Sequence, residues 1–281
     1  MSAGATPAGA FVEGPRGPLY ATVHPAAGGA AGGEGVVLVA PFMEERQDAH
    51  EVLRSLALSL CAAGVSVLRF DLYGTGDASG AWEDATPTGW LDDIAAMASL
   101  LRRETGATRV GLVGLRFGAT LAAHAAAQCE ADWVGLVQPV LQGDAYAMEV
   151  LRAYLAAEMA LHKKAGTTRE ALLARLAAGE TVNLFGYGYT PNQHAELGAM
   201  DTAKALTAWG GDALLVEVLR TATARQSKDY AALAEALGPR LTHVQTVEAQ
   251  SLYAEGKVRQ VEAPEVTRRV LDYLAARKEL G

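Results

Sequence analysis

Between residues 36 and 137 short apolar runs alternate with longer stretches whose apolar residues recur at helical spacing, and few folds accommodate that rhythm. Residues 36–40 (VVLVA), 65–70 (VSVLRF), 110–113 and 133–137 are the short runs. A strand reads this way when both of its faces are buried, as in a parallel sheet covered by helices. Between them, residues 48–63, 90–102 and 119–128 carry the helical pattern, the first through Val52, Leu53, Leu56, Leu58 and Leu60. Strands alternating with helices predict a doubly wound, mostly parallel α/β sheet. Its crossovers are right-handed, and ligands gather near the carboxyl ends of its strands. Ahead of it, Gly14-Pro-Arg-Gly-Pro18 separates two β-like runs, 10–13 and 19–24, and predicts a hairpin. A Gly/Ala-rich loop is expected over 26–35.

After Pro139 the rhythm breaks. Residues 143–164 and 168–178 read as helices, and a third runs to about Trp209. No strand signal is visible from 140 to 211. The sheet pattern resumes with a strand at 213–219, a helix at 228–237, a strand at 243–247 and a closing helix at 264–277. The expected organisation is an α/β core over 1–139 and 212–281, with residues 140–211 inserted as a helical lid. The aromatic segment Phe185-Gly-Tyr187-Gly-Tyr189 within it either stacks on a ligand or plugs a pocket.

Composition narrows the function classes. Half of the 281 residues are hydrophobic, enough for a sizeable core, and the formal net charge of −8 argues against binding nucleic acid through the overall field. Cys61 and Cys129 lie in predicted helices outside any Cys-x-x-Cys pair and are expected to be buried thiols. The first ten residues lack a basic region and an apolar run, and no apolar stretch is long enough to span a bilayer, so a soluble, cytoplasmic chain is expected. The glycines of Asp71-Leu-Tyr-Gly-Thr-Gly-Asp77 follow the second buried strand at the wrong spacing for a dinucleotide. Asp71 and Asp77 there are expected to hold backbone amides. No cluster has metal-ligand spacing, so neither metal nor cofactor is expected. A small-molecule ligand, acyl or glycan in character, is the expected partner, and an oligomer is compatible with the chain.

The segment that carries chemistry is Val113-Gly114-Leu115-Arg116-Phe117-Gly118, set between a predicted strand and helix. Its glycines have the spacing of the Gly-x-Ser-x-Gly elbow, whose turn is so tight that side chains two positions away collide with their neighbours. The central residue is arginine. A guanidinium offers donors only and cannot attack an acyl carbon. It also meets the positive end of the following helix dipole, at a cost of ~0.3–1 kcal/mol unless an anion compensates. An anion is therefore expected beside Arg116, from the protein or from a ligand. Glu44 or Glu45, in the loop after the first buried strand, is placed to reach it, either as an orienting carboxylate or base or merely as a tie between loop and elbow. The other positions of a Ser-His-acid triad are vacant too. No acid follows residues 213–219, and no histidine occurs in 248–256, after the last strand. His124 and His243 fall inside elements and read as structural, and His194 lies in the predicted lid.

Pro41-Phe-Met-Glu-Glu45, Phe70-Asp-Leu-Tyr-Gly-Thr-Gly-Asp77, Trp90-Leu-Asp-Asp93, Gly114-Leu-Arg-Phe-Gly118, Gln138-Pro-Val140 and Gly186-Tyr-Gly-Tyr189 run in order along most of the chain. Together they resemble the α/β-hydrolase superfamily and, within it, the exosortase A system-associated hydrolase type 2 proteins, which also carry Gly-Leu-Arg at the elbow. The resemblance implies the α/β-hydrolase fold and a setting in exopolysaccharide production. It also implies that the loop at Phe42 faces the elbow. The site residues expected on this reading are Arg116 and Glu44 for chemistry, and Phe42, Met43, Glu45, Leu115, Phe117, Gln138 and Tyr187 for ligand contact. Two functions remain open: an atypical hydrolase of an acyl, ester or anionic substrate, and an inactive relative that binds an anionic glycan or acyl ligand or serves as a partner-binding scaffold.

Overall fold

The computed structural model describes residues 8–28, 33–163, 166–219, 221–248 and 262–280. A hairpin, β1 (Ala8–Val12) and β2 (Leu19–His24), opens the chain. Next come β3 (Glu34–Val39), α1 (Glu44–Ala62), β4 (Ser66–Phe70), α2 (Pro87–Thr105), β5 (Arg109–Leu115), α3 (Phe117–Ala125) and β6 (Trp133–Val137). An excursion contains α4 (Gly143–His162), α5 (Arg169–Ala177), β7 (Val182–Leu184), β8 (Tyr187–Tyr189), α6 (Pro191–Gly198) and α7 (Thr202–Trp209). The chain then returns through β9 (Asp212–Leu219), α8 (Lys228–Leu237), β10 (Leu241–Val247) and α9 (Pro264–Leu280). Eight strands form one sheet in the order β1-β2-β4-β3-β5-β6-β9-β10, parallel except for the hairpin at its edge. This is the predicted doubly wound α/β sheet. Every residue of β3 and β6 is buried, which is why both read as apolar runs once past Glu34, a buried carboxylate bonded to Arg109 and Trp133.

Two cores flank the sheet. On one face α1 and α9 cover Val36, Leu38, Val113, Leu115, Val137 and Val216. On the other, α2, α3, α8 and the excursion cover Val37, Val39, Leu112, Leu136 and Leu215. Polar contacts fix the excursion to this second face. The Val140 carbonyl accepts from the hydroxyls of Thr120 (2.7 Å) and Thr202 (2.6 Å). The fully buried Gln193 amide donates to the carbonyls of Trp82 (2.7 Å) and Ala85 (3.0 Å), and its backbone joins Thr190 in a capping box.

Several local expectations are corrected. The first helix begins at Glu44 rather than 48, so Glu44 and Glu45 are not loop residues. Met43, at φ 48° and ψ −128°, turns the chain directly into α1, and two carboxylates in the first turn suit the helix dipole. The helix expected to end at Trp209 is two, α6 and α7, the second capped by Asp201 accepting from Lys204 N. Residues 140–211 do contain strands. Phe185 (φ 54°) and Gly186 (φ 94°) form a turn with two positive φ values, the pattern that closes a two-residue hairpin, and β7 pairs antiparallel with β8 across it. Phenylalanine in place of Asn or Asp at its first central position hid the turn. The expected loops at 26–35 and 248–256 lie partly outside the described residues.

The turn from β5 to α3 packs against β3 backbone. A Cβ on Gly118 would stand 2.4 Å from the carbonyl oxygens of Val39 and Ala40, where no flexible side chain can yield. Gly118→Ala is therefore expected to destabilise the fold by at least about 2–3 kcal/mol, read as a lower urea midpoint at unchanged m-value.

Candidate functional site

Three residues beyond the carboxyl ends of adjacent strands are held at positive φ. They are Met43 after β3, Arg116 (φ 52°, ψ −122°) after β5 and Gln138 (φ 48°) after β6. Each such non-glycine residue costs about 1–3 kcal/mol unless its surroundings impose it. The sheet supplies the constraint. Arg116 N donates to the Val137 carbonyl (2.9 Å) and Gln138 N to the Val216 carbonyl (3.0 Å), while Gln138 Oε1 accepts from Val218 N (3.0 Å). Glycines at 114 and 118 marked the Arg116 turn in the sequence. Nothing comparable marked Met43 or Gln138.

Arg116 meets two carboxylates. Its Nε donates to Glu45 Oε1 (3.1 Å) and its Nη2 to Glu149 Oε1 on α4. The guanidinium also lies 5.4 Å from the centroid of the Tyr146 ring, and Tyr146 donates its hydroxyl to Glu45 Oε2 (3.1 Å). With a side chain only 12% exposed, Arg116 is a partly buried cation already matched by protein. Burial raises the Glu45 carboxyl above its ordinary range, and the Arg116 cation opposes that rise. The Tyr146 phenol is pushed well up by burial, then by Glu45. Of the two glutamates expected to reach Arg116, Glu45 does. Glu44 is the neighbouring helical residue and projects elsewhere. Glu149 gave no signal, since it lies 33 positions away on the excursion.

Glu44 has its own peculiarity. Burial, followed by the like charges of Glu45 and Asp48, raises its carboxyl to about 7, and Oε1 is buried with no hydrogen-bond partner.

Beside the Arg116 cluster lies a cleft of about 450 Å³, counting its open mouth. Four residues expected to contact ligand, Phe42, Met43, Phe117 and Tyr187, line it. Leu72, Trp82, Trp90 and Leu121 extend the apolar wall, and Arg46 contributes a charge. Phe42 is its centre, with ring centroids 5.3 Å from Trp82, 5.8 Å from Trp90 and 5.6 Å from Phe117. At the mouth Gln47 Nε2 donates to the Tyr187 hydroxyl (3.1 Å), joining α1 to β8. Three expected contact residues lie elsewhere. Leu115 packs in the core of the α1 face, because side chains alternate along a strand. Gln138 binds β9 backbone, and Glu45 is engaged by Arg116 and Tyr146.

The remaining polar candidates are braces. Asp71 accepts from Asp77 N (3.0 Å) and from Arg46 Nη1 (3.0 Å). His124 Nε2 accepts from Asp201 N (3.2 Å), and His194 Nδ1 bonds the Tyr189 hydroxyl (3.1 Å). His243 Nε2 lies 3.0 Å from Glu217 Oε2 on β9, a pairing the sequence hid because both residues sit inside strands. Among the described residues no group of His, Cys, Asp and Glu is arranged to hold a metal ion, and no helix is long and apolar enough to cross a membrane.

The chain as a whole superposes on solved structures. Est1E from Butyrivibrio proteoclasticus, with ferulic acid bound, superposes with a TM-score of 0.69 at 16% identity, over 95% of this chain and 98% of that one. The fold is the α/β-hydrolase fold. Esterase PF2001 of Pyrococcus furiosus (TM-score 0.63, 15% identity, 96% and 91% of the two chains) shares it. So does an α/β serine hydrolase homologue from Coxiella burnetii (TM-score 0.57, 13% identity, 96% of each chain). No protein-family model and no curated protein matches the chain.

Within this hydrolase fold the Arg116 cluster is a stability element. Arg116→Met strands Glu45 against Tyr146 and is expected to cost ~2–4 kcal/mol, most of it recovered in Arg116→Met/Glu45→Gln. A double-mutant cycle by urea denaturation checks this. Glu44 gives a pH signature. Its folded pKa lies above the unfolded one, so its contribution falls as pH rises from about 4.5 to about 7. Glu44→Gln removes that loss. It is expected to gain ~1–2 kcal/mol over the wild type at pH 8 and nothing at pH 4.5, read from melts at the two pH values.

Proposed function

We propose that this hydrolase-fold protein binds a small acyl or aryl ligand in the cleft around Phe42 and does not carry out serine-type acyl transfer. The observation that carries the reading is the state of the elbow. Its central side chain is a guanidinium held by Glu45 and Glu149, and it stands outside the cleft wall. A cation without a lone pair is no nucleophile, and one matched by two carboxylates has little left for an oxyanion. The cleft beside it has an aromatic wall and a polar mouth, the usual character of a small-molecule site. The ferulic acid bound by Est1E supports a ligand of comparable size. In this reading residues 140–211 act as the lid over the cleft, with Tyr187 at its edge. The motif resemblance to exosortase-associated proteins supports a ligand drawn from exopolysaccharide production.

One observation favours a second reading, an atypical hydrolase. A carboxyl that titrates near 7 and has an unpartnered oxygen, as Glu44 has, is suited to general-base work on a water.

The test is a screen of p-nitrophenyl esters of rising acyl length against the wild type, Arg116→Ala and Glu44→Gln, alongside melts with the free acids. Binding without catalysis predicts no release of p-nitrophenol above buffer in any of the three, and a raised melting temperature with at least one acid. Turnover by the wild type sinks it. Turnover lost in Glu44→Gln and kept in Arg116→Ala moves the assignment to the second reading.

A further inference from the structure

On the sheet face opposite the Phe42 cleft, one guanidinium has no carboxylate of its own. Arg69 lies on β4, in register with Leu38 of the core beneath α1. Its Nε donates to His24 Nε2 at 3.2 Å. Burial, followed by the charges of Arg69 and Arg54, lowers His24 to about 4. The ring is therefore a neutral acceptor that orients Arg69 and brings no countercharge. Among the described residues the two Nη nitrogens of Arg69 meet no acceptor, and they are open to solvent. Burial, and after it the like charge of Arg54 on α1, lowers the pKa of this guanidinium. The two carboxylates that act on it, Asp71 and Glu51, are engaged with other arginines. Asp71 holds Arg46 at 3.0 Å and the Asp77 amide, and Glu51 stands 3.6 Å from Arg54. A half-buried cation beside a second cation, with donors unused, is stabilised by an anion that both can reach.

Two hydroxyls belong to the same spot. Thr22 on β2 is the cross-strand partner of Arg69, which places their Cβ atoms about 4.5–5.5 Å apart on one face. Tyr20 precedes it by two positions and so shares that face. A Cβ on Gly9 of β1 would stand 2.2 Å from the Tyr20 hydroxyl oxygen and 3.4 Å from Thr22 Oγ1. Glycine at that position of the edge strand thus leaves the space in which the two hydroxyls gather. Among the described residues neither hydroxyl has a hydrogen-bond partner, and neither is sealed from solvent.

Donors therefore converge from three elements, β2, β4 and α1. A planar carboxylate offers them two oxygens and one negative charge. A phosphate group offers three or more oxygens and a charge of about −1.5 to −2 at neutral pH. We propose that Arg69, Arg54, Thr22 and Tyr20 form a binding site for a phosphate group, carried by a small phosphomonoester or present as the free ion. Arg69 is its anchor, Arg54 supplies the second charge, and the two hydroxyls fix the orientation. The site lies on the other side of the sheet from the cleft and is independent of what the cleft binds.

NMR titration tests it, because the Arg69 Nε–H and the Thr22 amide report contact directly. The probes are inorganic phosphate, glycerol phosphate and acetate, all at one ionic strength. The proteins are the wild type, Arg69→Gln, Arg69→Lys, Thr22→Val and, as a control on the far side of the fold, Arg103→Gln, each first shown to be folded by circular dichroism. Both phosphates are expected to shift the Arg69 and Thr22 signals of the wild type saturably, and to bind at least about tenfold more tightly than acetate. Arg69→Gln is expected to weaken phosphate binding by about tenfold or more, with part restored in Arg69→Lys. Thr22→Val is expected to weaken it severalfold, and Arg103→Gln to leave it unchanged. Tighter binding of glycerol phosphate than of inorganic phosphate assigns the site to esters, and the reverse order assigns it to the free ion. The proposal is overturned if the wild type shows no saturable shift up to about 50 mM phosphate, well beyond a millimolar Kd. It is equally overturned if acetate binds as well as phosphate, or if Arg103→Gln weakens binding as much as Arg69→Gln does.

Discussion

A guanidinium at the amino end of a helix faces the positive pole of the helix dipole, and in this protein the carboxylates of Glu45 and Glu149 are what make that position tolerable. The dipole penalty is about 0.3–1 kcal/mol, whereas stranding one partner of a partly buried ion pair costs several times as much. The ion pairs therefore decide the local arrangement. They join three elements that the chain brings together only on folding: α1 through Glu45, the elbow through Arg116 and the excursion through Glu149. Tyr146 completes the unit by donating to Glu45 while its ring stacks on Phe117 at 5.5 Å and 13°. Phe117 is also part of the cleft wall. A ligand touching Phe117 is thus two ring contacts from the place where charge ties α4 to the elbow.

The same geometry explains why sequence reading reached the fold more easily than the site. A strand buried on both faces reads as a near-continuous apolar run, so β3, β5 and β6 announce themselves through residues 36–39, 110–115 and 133–137. The elbow announces itself because Gly114 and Gly118 leave no room for a Cβ: one on Gly114 would stand 2.2 Å from the Gly118 carbonyl oxygen. Arg116 was therefore legible as a position and as a chemical contradiction. Its partners were only half legible. Glu45 lay in the segment expected to face the elbow, yet choosing it over Glu44 required knowing that both open a helix, where successive side chains diverge. Glu149 required the packing of α4, which no local pattern encodes. Trp82 likewise belongs to a short connecting segment, and its place in the cleft depends on Phe42 and Tyr187, distant in sequence and adjacent only in the fold. Leu115 shows the opposite error. It sits next to the elbow arginine in sequence, but strand alternation sends it into the core of the far face.

Strain at Arg116 is the feature most in need of a physical account, because a side chain that attacks nothing has no need of a nucleophile's backbone. The costs run in opposite directions. Holding φ at 52° costs about 1–3 kcal/mol, and relaxing the turn would withdraw the guanidinium from its carboxylates. The turn is also pinned independently of any chemistry, by Arg116 N on the Val137 carbonyl and by Gly118 against the backbone of Val39 and Ala40. Met43, at the start of α1, and Gln138, just after β6, adopt similar positive φ, and neither occupies the elbow's central position. Positive φ directly after β5 and β6 is therefore tied to backbone hydrogen bonds with the next strand over and not to a nucleophile. A nucleophile can exploit it, and so can a structural cation. In this chain the elbow places the largely buried Arg116 side chain where it reaches two neighbouring elements at once. On the other side of Phe117 the cleft wall carries a different guanidinium, that of Arg46, paired with Asp71.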